Sequence, residues 1–284
     1  RSALFEIFKN ARKVCGNAPL GVNILYAIND YGRVVRESCE AGTDVIVTGA
    51  GLPTNMPEFT VDFPDVALVP IVSSAKALKI LNKRWEGRYK RVPDAVIVEG
   101  PLSGGHQGVQ FEDCYKEEYQ LENLVPEVVE EAKKWGNIPV IAAGGIWDNG
   151  DIKKFMALGA DGVQMGTRFV VAKESIVHPN YKERVIKAKD IDSEVTGMST
   201  GHPIRVLRNQ MSREYLKMEK EGASFEELEH LTLGSLRKAV IDGDVVNGSL
   251  MAGQSAGLVK KEQTCQEIIE EVVTDARALL AGRK

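Results

Sequence analysis

Two hydrophobic periods alternate along the chain. Short β-branched, nearly continuous apolar runs, each bounded by Gly, Pro or Asp, occupy Pro19–Leu25, Thr43–Ala50, Val66–Val72, Asp94–Gly100, Ile138–Gly145 and Ala160–Thr167. Between them, Tyr31–Ala41, Ser74–Trp85, Val125–Trp135 and Asp151–Leu158 carry apolar residues at helical spacing, and Ser2–Val14 reads as a further helix ahead of the first run. The pattern predicts six buried strands alternating with helices. Strands apolar along their whole length are covered on both faces, which selects a parallel α/β sheet over a half-exposed antiparallel one. Local residues supply the boundaries: Asp148 or Asn149 can cap the helix near Asp151, Ser73 or Ser74 the helix carrying Leu78 and Leu81, and Gly159 can take the left-handed conformation that ends a helix.

The number of units limits the architecture. A (β/α)8 TIM barrel needs eight strands, and six are legible, so the expected fold is a TIM barrel whose first two strands are absent from this chain. An open doubly wound sheet is the alternative. Residues 1–174 would form strands 3–8 of the barrel. Residues 175–246 would form a charged helical appendage or lid: Ser175–Asp244 carries no further strand signal, and Gly197, Gly201 and Pro203 break it near its start. Residues 247–284 would return to the barrel through a glycine-rich loop and the amphipathic helix Thr264–Leu280, with Ile268, Ile269, Val272, Val273 and Ala276 on one face. That face suits either a final barrel helix or a homodimer contact.

With 284 residues, 43% of them hydrophobic, the chain can bury a substantial core. A net charge of −4 provides no basic field for a nucleic-acid backbone. Cys15, Cys39, Cys114 and Cys265 are scattered, with no CxxC pair and no histidine at ligand spacing, which points to reduced thiols in a cytoplasmic protein and to no metal site. No apolar run approaches the roughly 20 residues of a membrane span, so no membrane partner is expected.

Chemistry concentrates at three glycine-bearing strand ends. Ala142-Ala143-Gly144-Gly145 and Gln164-Met165-Gly166-Thr167 each close a strand and open a helix, where free backbone N–H groups and the helix dipole favour an anion. They fall where strands 7 and 8 of a barrel would carry a phosphate, and Thr167 adds a hydroxyl donor. The third, Glu99-Gly100-Pro101-Leu102-Ser103-Gly104-Gly105-His106-Gln107-Gly108, places His106 on the same rim as a candidate general acid or base. Glu99 ends an apolar strand, so desolvation should raise its pKa unless a donor pairs with it. His202 could reach the mouth if the appendage folds over it, whereas His178 and His230 read as structural or solvated. Ser103 lacks a G-x-S-x-G frame, and the chain has neither a Walker lysine nor G-x-G-x-x-G, which favours the phosphate of a mononucleotide such as FMN over a nucleoside triphosphate.

In Pro19-Leu20-Gly21-Val22-Asn23, Thr48-Gly49-Ala50-Gly51, Glu99–Gly108, Ile138–Ile146, Val163–Glu174 and Met251–Leu258, the chain resembles the FMN-dependent nitronate monooxygenases, formerly 2-nitropropane dioxygenases, and the related FMN-type enoyl-acyl carrier protein reductases. The resemblance implies a TIM barrel with FMN at its mouth. It assigns Asn23, Gly144, Gly145, Gln164, Gly166 and Thr167 to FMN, with Gln164 close to the ring system, and His106 to the catalytic base. Glu99, Gly104, Gly105 and Gln254 complete the expected cofactor set. The implied substrates are a nitronate with O2, or an enoyl thioester with NAD(P)H as co-substrate. An NAD(P)H:quinone or flavin reductase and a non-catalytic flavin-binding barrel are the remaining alternatives.

Overall fold

The structure, a computed structural model, describes residues 2–274. In chain order its helices and strands are α1 (Ser2–Cys15), β1 (Gly21–Leu25), α2 (Tyr31–Glu40), β2 (Val45–Gly49), β3 (Ala67–Val72), α3 (Ala75–Tyr89), β4 (Val96–Glu99), β5 (Gly105–His106), α4 (Leu121–Lys133), β6 (Val140–Ala143), α5 (Asn149–Ala157), β7 (Gly162–Gln164), α6 (Thr167–Val170), α7 (Pro179–Ile186), β8 (Ser193–Thr196), β9 (Ile204–Leu207), α8 (Gln210–Lys220), α9 (Phe225–Thr232), α10 (Ser235–Val240) and α11 (Cys265–Val273). Each of the six apolar runs becomes a strand, and they form one sheet in the order β1-β2-β3-β4-β6-β7. β1 to β4 pair in parallel. Val96 N–H donates to the Pro139 carbonyl and Gly100 N–H to that of Ala143, a constant register that makes β4 and β6 parallel too. The order follows the chain without the reversal that marks a doubly wound sheet, so the fold is α/β of the singly wound kind, with six strands in this sheet among the described residues.

By packing, the chain divides into two units: residues up to Val98 with Leu124–Ile141, and Glu99–Asn123 with the described residues from Ala142 on. In the first, Ile24, Ile46 and Leu68 from the strands meet Tyr31, Val35 and Cys39 of α2 and Leu81 and Trp85 of α3. Trp85 is fully buried, and its indole N–H still finds the Pro53 carbonyl at 3.1 Å. Aspartates at strand starts hold the register. Asp44 accepts the Leu20 N–H at 2.7 Å and Asp94 that of Leu68 at 2.8 Å. Arg12 and Arg91 close on the same carboxylates at 2.9 Å and 3.0 Å. Thr48 is fully buried, its hydroxyl 3.1 Å from that of Tyr31. Strand alternation turns it toward the helix layer. Ser74 caps α3 through the Ala77 N–H.

The second unit departs from the expected all-helical appendage. Within Ser175–Asp244 lie β8 and β9, which with β5 form an antiparallel sheet in the order β5-β9-β8. Gly197, Gly201 and Pro203, expected as helix breakers, belong to the turn of the β8–β9 hairpin. The four-residue strands Ser-Glu-Val-Thr and Ile-Arg-Val-Leu are too short for periodicity to expose, and their third partner comes from a distant loop. The unit's core gathers Val171, Tyr181, Val185, Leu207, Leu250 and Val259. Asp148 forms a reciprocal capping box with Asp151 at the start of α5, and Gly159 follows the helix end at φ +107°. On α11, Ile268 and Val272 are buried and Ile269 is exposed; Ala276 lies outside the described residues. Buried Arg168 docks α11 by pairing with Glu271 at 2.6 Å while its guanidinium stacks 4.3 Å from the Trp147 ring centroid.

Truncating Trp85 would empty the centre of the first unit's core and orphan the Pro53 carbonyl. Trp85→Ala is expected to lower stability by about 3–5 kcal/mol in urea unfolding, whereas replacing the exposed Ile80 on the same helix is expected to change it by less than about 0.5 kcal/mol.

Candidate functional site

The sequence-predicted site residues, Asn23 excepted, lie in the second unit, and glycines set their backbone. Gly144 and Gly145 adopt φ +99° and +81°. A Cβ on Gly144 would stand 2.7 Å from the Gly100 carbonyl oxygen and 3.2 Å from Ser103 N, and one on Gly145 2.9 Å from Leu102 Cβ. The loop after β4 therefore rests directly on the end of β6. Its far side interleaves with the segment after Met251: a Cβ on Gly104 would stand 2.5 Å from Gly253 N, and one on Gly253 2.7 Å from the Leu102 carbonyl oxygen. Gly253 N–H donates to Thr167 Oγ1 at 2.8 Å, which ties in the start of α6 and leaves the Thr167 O–H free to donate. Gly166 differs, because a Cβ there would meet open space. No described residue accepts the backbone N–H of Gly144, Gly145 or Gly166, and the half-buried Gln164 carboxamide makes no bond to a described side chain or backbone group. Undirected N–H groups with a hydroxyl beside them form the donor set a phosphate requires.

Titratable groups stand on the same loop. Glu99 ends β4 half-buried, and desolvation raises its carboxyl to about 7 although the Ser103 hydroxyl donates to it. Gln107 Nε2 continues the chain by donating to the Ser103 and Gly105 carbonyls at 2.9 Å and 3.1 Å. His106 lies on β5, opposite Ile204 of β9. One edge of its ring is exposed, yet the packed protein around it and the charge of His202 both push its pKa below the usual imidazole value. The β8–β9 hairpin thus brings His202 toward His106, as would be needed for it to reach the mouth.

Other expected residues take different places. Gln254 uses both ends of its carboxamide within the protein: Oε1 accepts from Arg205 at 3.1 Å, and Nε2 donates to the Asp190 carbonyl at 2.9 Å and to the Asp190 carboxylate. Gly105, at φ +84°, aims β5 into its pairing with Arg205. Asn23 is exposed on β1 of the first unit. His178 caps α7 by accepting the Asn180 N–H, and His230 is exposed on α9. Two residues escape sequence reading. Buried Arg205 holds the loop by donating to the Pro101 carbonyl at 2.9 Å and to Ser193 at 2.8 Å. Buried Glu219 of α8 accepts from Gly197 N–H, Ser199 N–H and the Ser199 hydroxyl in the hairpin turn. Both look like ordinary surface charges in a charged segment. Only the absence of a neighbouring opposite charge at helical spacing hints otherwise.

Strand ends that carry an imidazole on their loops and backbone N–H groups without a protein acceptor are where α/β folds place their ligand sites. The chain belongs to the nitronate monooxygenase family, whose model matches residues 1–275. It is similar to a probable nitronate monooxygenase of Staphylococcus saprophyticus, at 34% identity over 190 residues covering 66% of this chain and 52% of that protein. The chain spans about half the length of the curated relatives it first matches. Among solved structures it is similar to FabK from Thermotoga maritima, at 35% identity and TM-score 0.82, covering 99% of this chain and 83% of that one. It shares the fold of nitroalkane oxidase from Streptomyces ansochromogenes at 22% identity and TM-score 0.74, covering 100% of this chain and 87% of that one. No helix among the described residues is long and apolar enough to cross a membrane.

The raised Glu99 pKa has a stability signature. The folded chain keeps a proton that the unfolded chain releases from pH 4.5 upward, so the contribution is complete below pH 4.5 and is lost as pH rises through about 7. Relative to Glu99→Gln, the parent protein is expected to lose up to about 3 kcal/mol between roughly pH 5 and pH 8. Urea midpoints across that range test it, and parallel profiles for the two proteins would show that Glu99 is not held protonated.

Proposed function

We propose that the protein is an FMN-dependent oxidoreductase of the nitronate monooxygenase type, built on a TIM-barrel scaffold and oxidising alkyl nitronates with O2. The observation that carries this reading is His106 at the end of a loop seated on the end of β6, where the N–H groups of Gly144 and Gly145 meet no acceptor among the described residues. The backbone of Gly144, Gly145 and Gly166 and the hydroxyl of Thr167 would hold the FMN phosphate, with Gln164 directed to the ring system. When bound, FMN supplies the electron-transfer chemistry that no side chain of this chain provides. The protein's own part is proton handling and placement. His106 accepts the proton from the carbon beside the nitro group when a neutral nitroalkane enters, and as an imidazolium it then holds the nitronate anion. A substrate offered as the nitronate bypasses the proton transfer. Glu99, Ser103 and Gln107 keep the loop in register, and Gln254 with Arg205 braces it from behind.

The likeness to FabK over 99% of this chain, together with Arg168–Val259, favours a second reading, an NAD(P)H-dependent trans-2-enoyl-thioester reductase. The two separate by co-substrate. Flavin-loaded protein is expected to consume O2 when ethyl nitronate is added without NAD(P)H; NAD(P)H oxidation that requires a trans-2-enoyl thioester, without nitronate-dependent O2 uptake, would establish the reductase instead. His106→Ala is expected to retain flavin absorbance and lose about 10²–10⁴-fold in turnover of the neutral nitroalkane, with a smaller loss on the nitronate.

A further inference from the structure

The β8–β9 hairpin places a second imidazole at the site, and its turn is built to keep it there. His106 faces Ile204 across the β5–β9 ladder, and Gln107 N–H donates to the Pro203 carbonyl at 2.8 Å, continuing the ladder by one residue. His202 precedes Ile204 by two positions and so leaves the strand on the same face as His106, as its diagonal neighbour. Arg205 points to the other face, where it holds Pro101, Ser193 and Gln254. The turn that carries His202 is pinned from below. The buried Glu219 carboxylate takes three hydrogen bonds from Gly197 and Ser199, and the Thr200 hydroxyl donates to the Gly197 carbonyl at 3.2 Å. Gly197, at φ +89°, packs so tightly that a Cβ would stand 2.2 Å from the His202 carbonyl oxygen. An exposed turn carrying only a solvated histidine has no need of a buried carboxylate beneath it.

We propose that His202 is a specificity-determining residue that shares the negative end of an anionic substrate with His106, and that Glu219 is the positioning residue that sets the turn. The proposal rests on the reading of the site as one that takes a nitronate. An entering anion recruits a proton and gains an N–H donor from each ring, two charge-assisted bonds in place of one. A neutral substrate such as a quinone draws on neither. Glu219 lies beneath the turn that carries His202, and the influences on His106 itself are burial and His202.

The test uses the flavin-loaded protein and its His202→Gln and Glu219→Gln variants. His202→Gln is expected to raise KM for ethyl nitronate about tenfold with kcat nearly unchanged, to leave KM for a neutral quinone unaltered, and to raise the His106 pKa, read from its ring proton by NMR, by about half a unit. Nitrate, a planar anion that is not turned over, is expected to raise the His106 pKa in the parent protein and to do so less in His202→Gln. Glu219→Gln is expected to move KM and the His106 pKa in the same directions by smaller amounts. An unchanged His106 pKa and an unchanged response to nitrate in His202→Gln would overturn the pairing. Absence of nitronate turnover by the parent protein, with the nitrate response intact, would overturn the assigned reaction and leave the paired anion site standing.

Discussion

Gly144 has no side chain, and the loop after β4 occupies the space one would need. A Cβ there would press on the Gly100 carbonyl and the Ser103 amide, so the close seating of Gly100–Gln107 depends on that hydrogen atom. From this contact the rest follows. Ser103 comes within reach of Glu99, Leu102 settles on Gly145, Gly104 meets Gly253, and the loop's last two residues line up as β5 against β9. A larger residue at 144 would clash with backbone and be forced into a left-handed conformation at once.

The seating also decides the electrostatics. Glu99 and His106 are seven positions apart on the loop flank, and both are driven toward their uncharged forms by burial: the carboxyl is raised to about 7 and the imidazole lowered. The N–H donors of Gly144, Gly145 and Gly166 meet no protein acceptor among the described residues. The fixed charges lie behind the site. Arg205 and Glu219 are buried and spend their hydrogen bonds on the loop and on the hairpin turn, which makes them supports of the site and not walls of it.

Much of the parallel sheet and of the helices between its strands was legible because the signals are local. The six strands, the helices between them, the Asp148 and Ser74 caps and the glycine after α5 each follow from residues within a few positions. The glycine-rich strand ends were legible as places where backbone must be bare. Their reasons were not: Gly144 and Gly145 are bare to admit the loop, whereas Gly166 stands in open space. Which face Thr48 takes was not legible in its apolar run: it is buried against Tyr31, since a one-residue step along a strand reverses the side chain's face. Gln254 lies in a family motif and is engaged by Arg205 and Asp190.

By itself the sequence determined the parallel α/β class, the strand positions and the place of His106 on a strand-end loop, because hydrophobic period, helix caps and bare glycines act over a few residues. Only the tertiary structure decided that the charged segment after Phe169 contains a hairpin, that this hairpin pairs with Gly105–His106, and that His202, Arg205 and Glu219 converge on that pairing from a hundred residues away. Two residues make too short a strand to leave a periodicity. Their partner is chosen by ladder hydrogen bonds and by close packing of the loop that carries them, and neither is written in any local run of the chain.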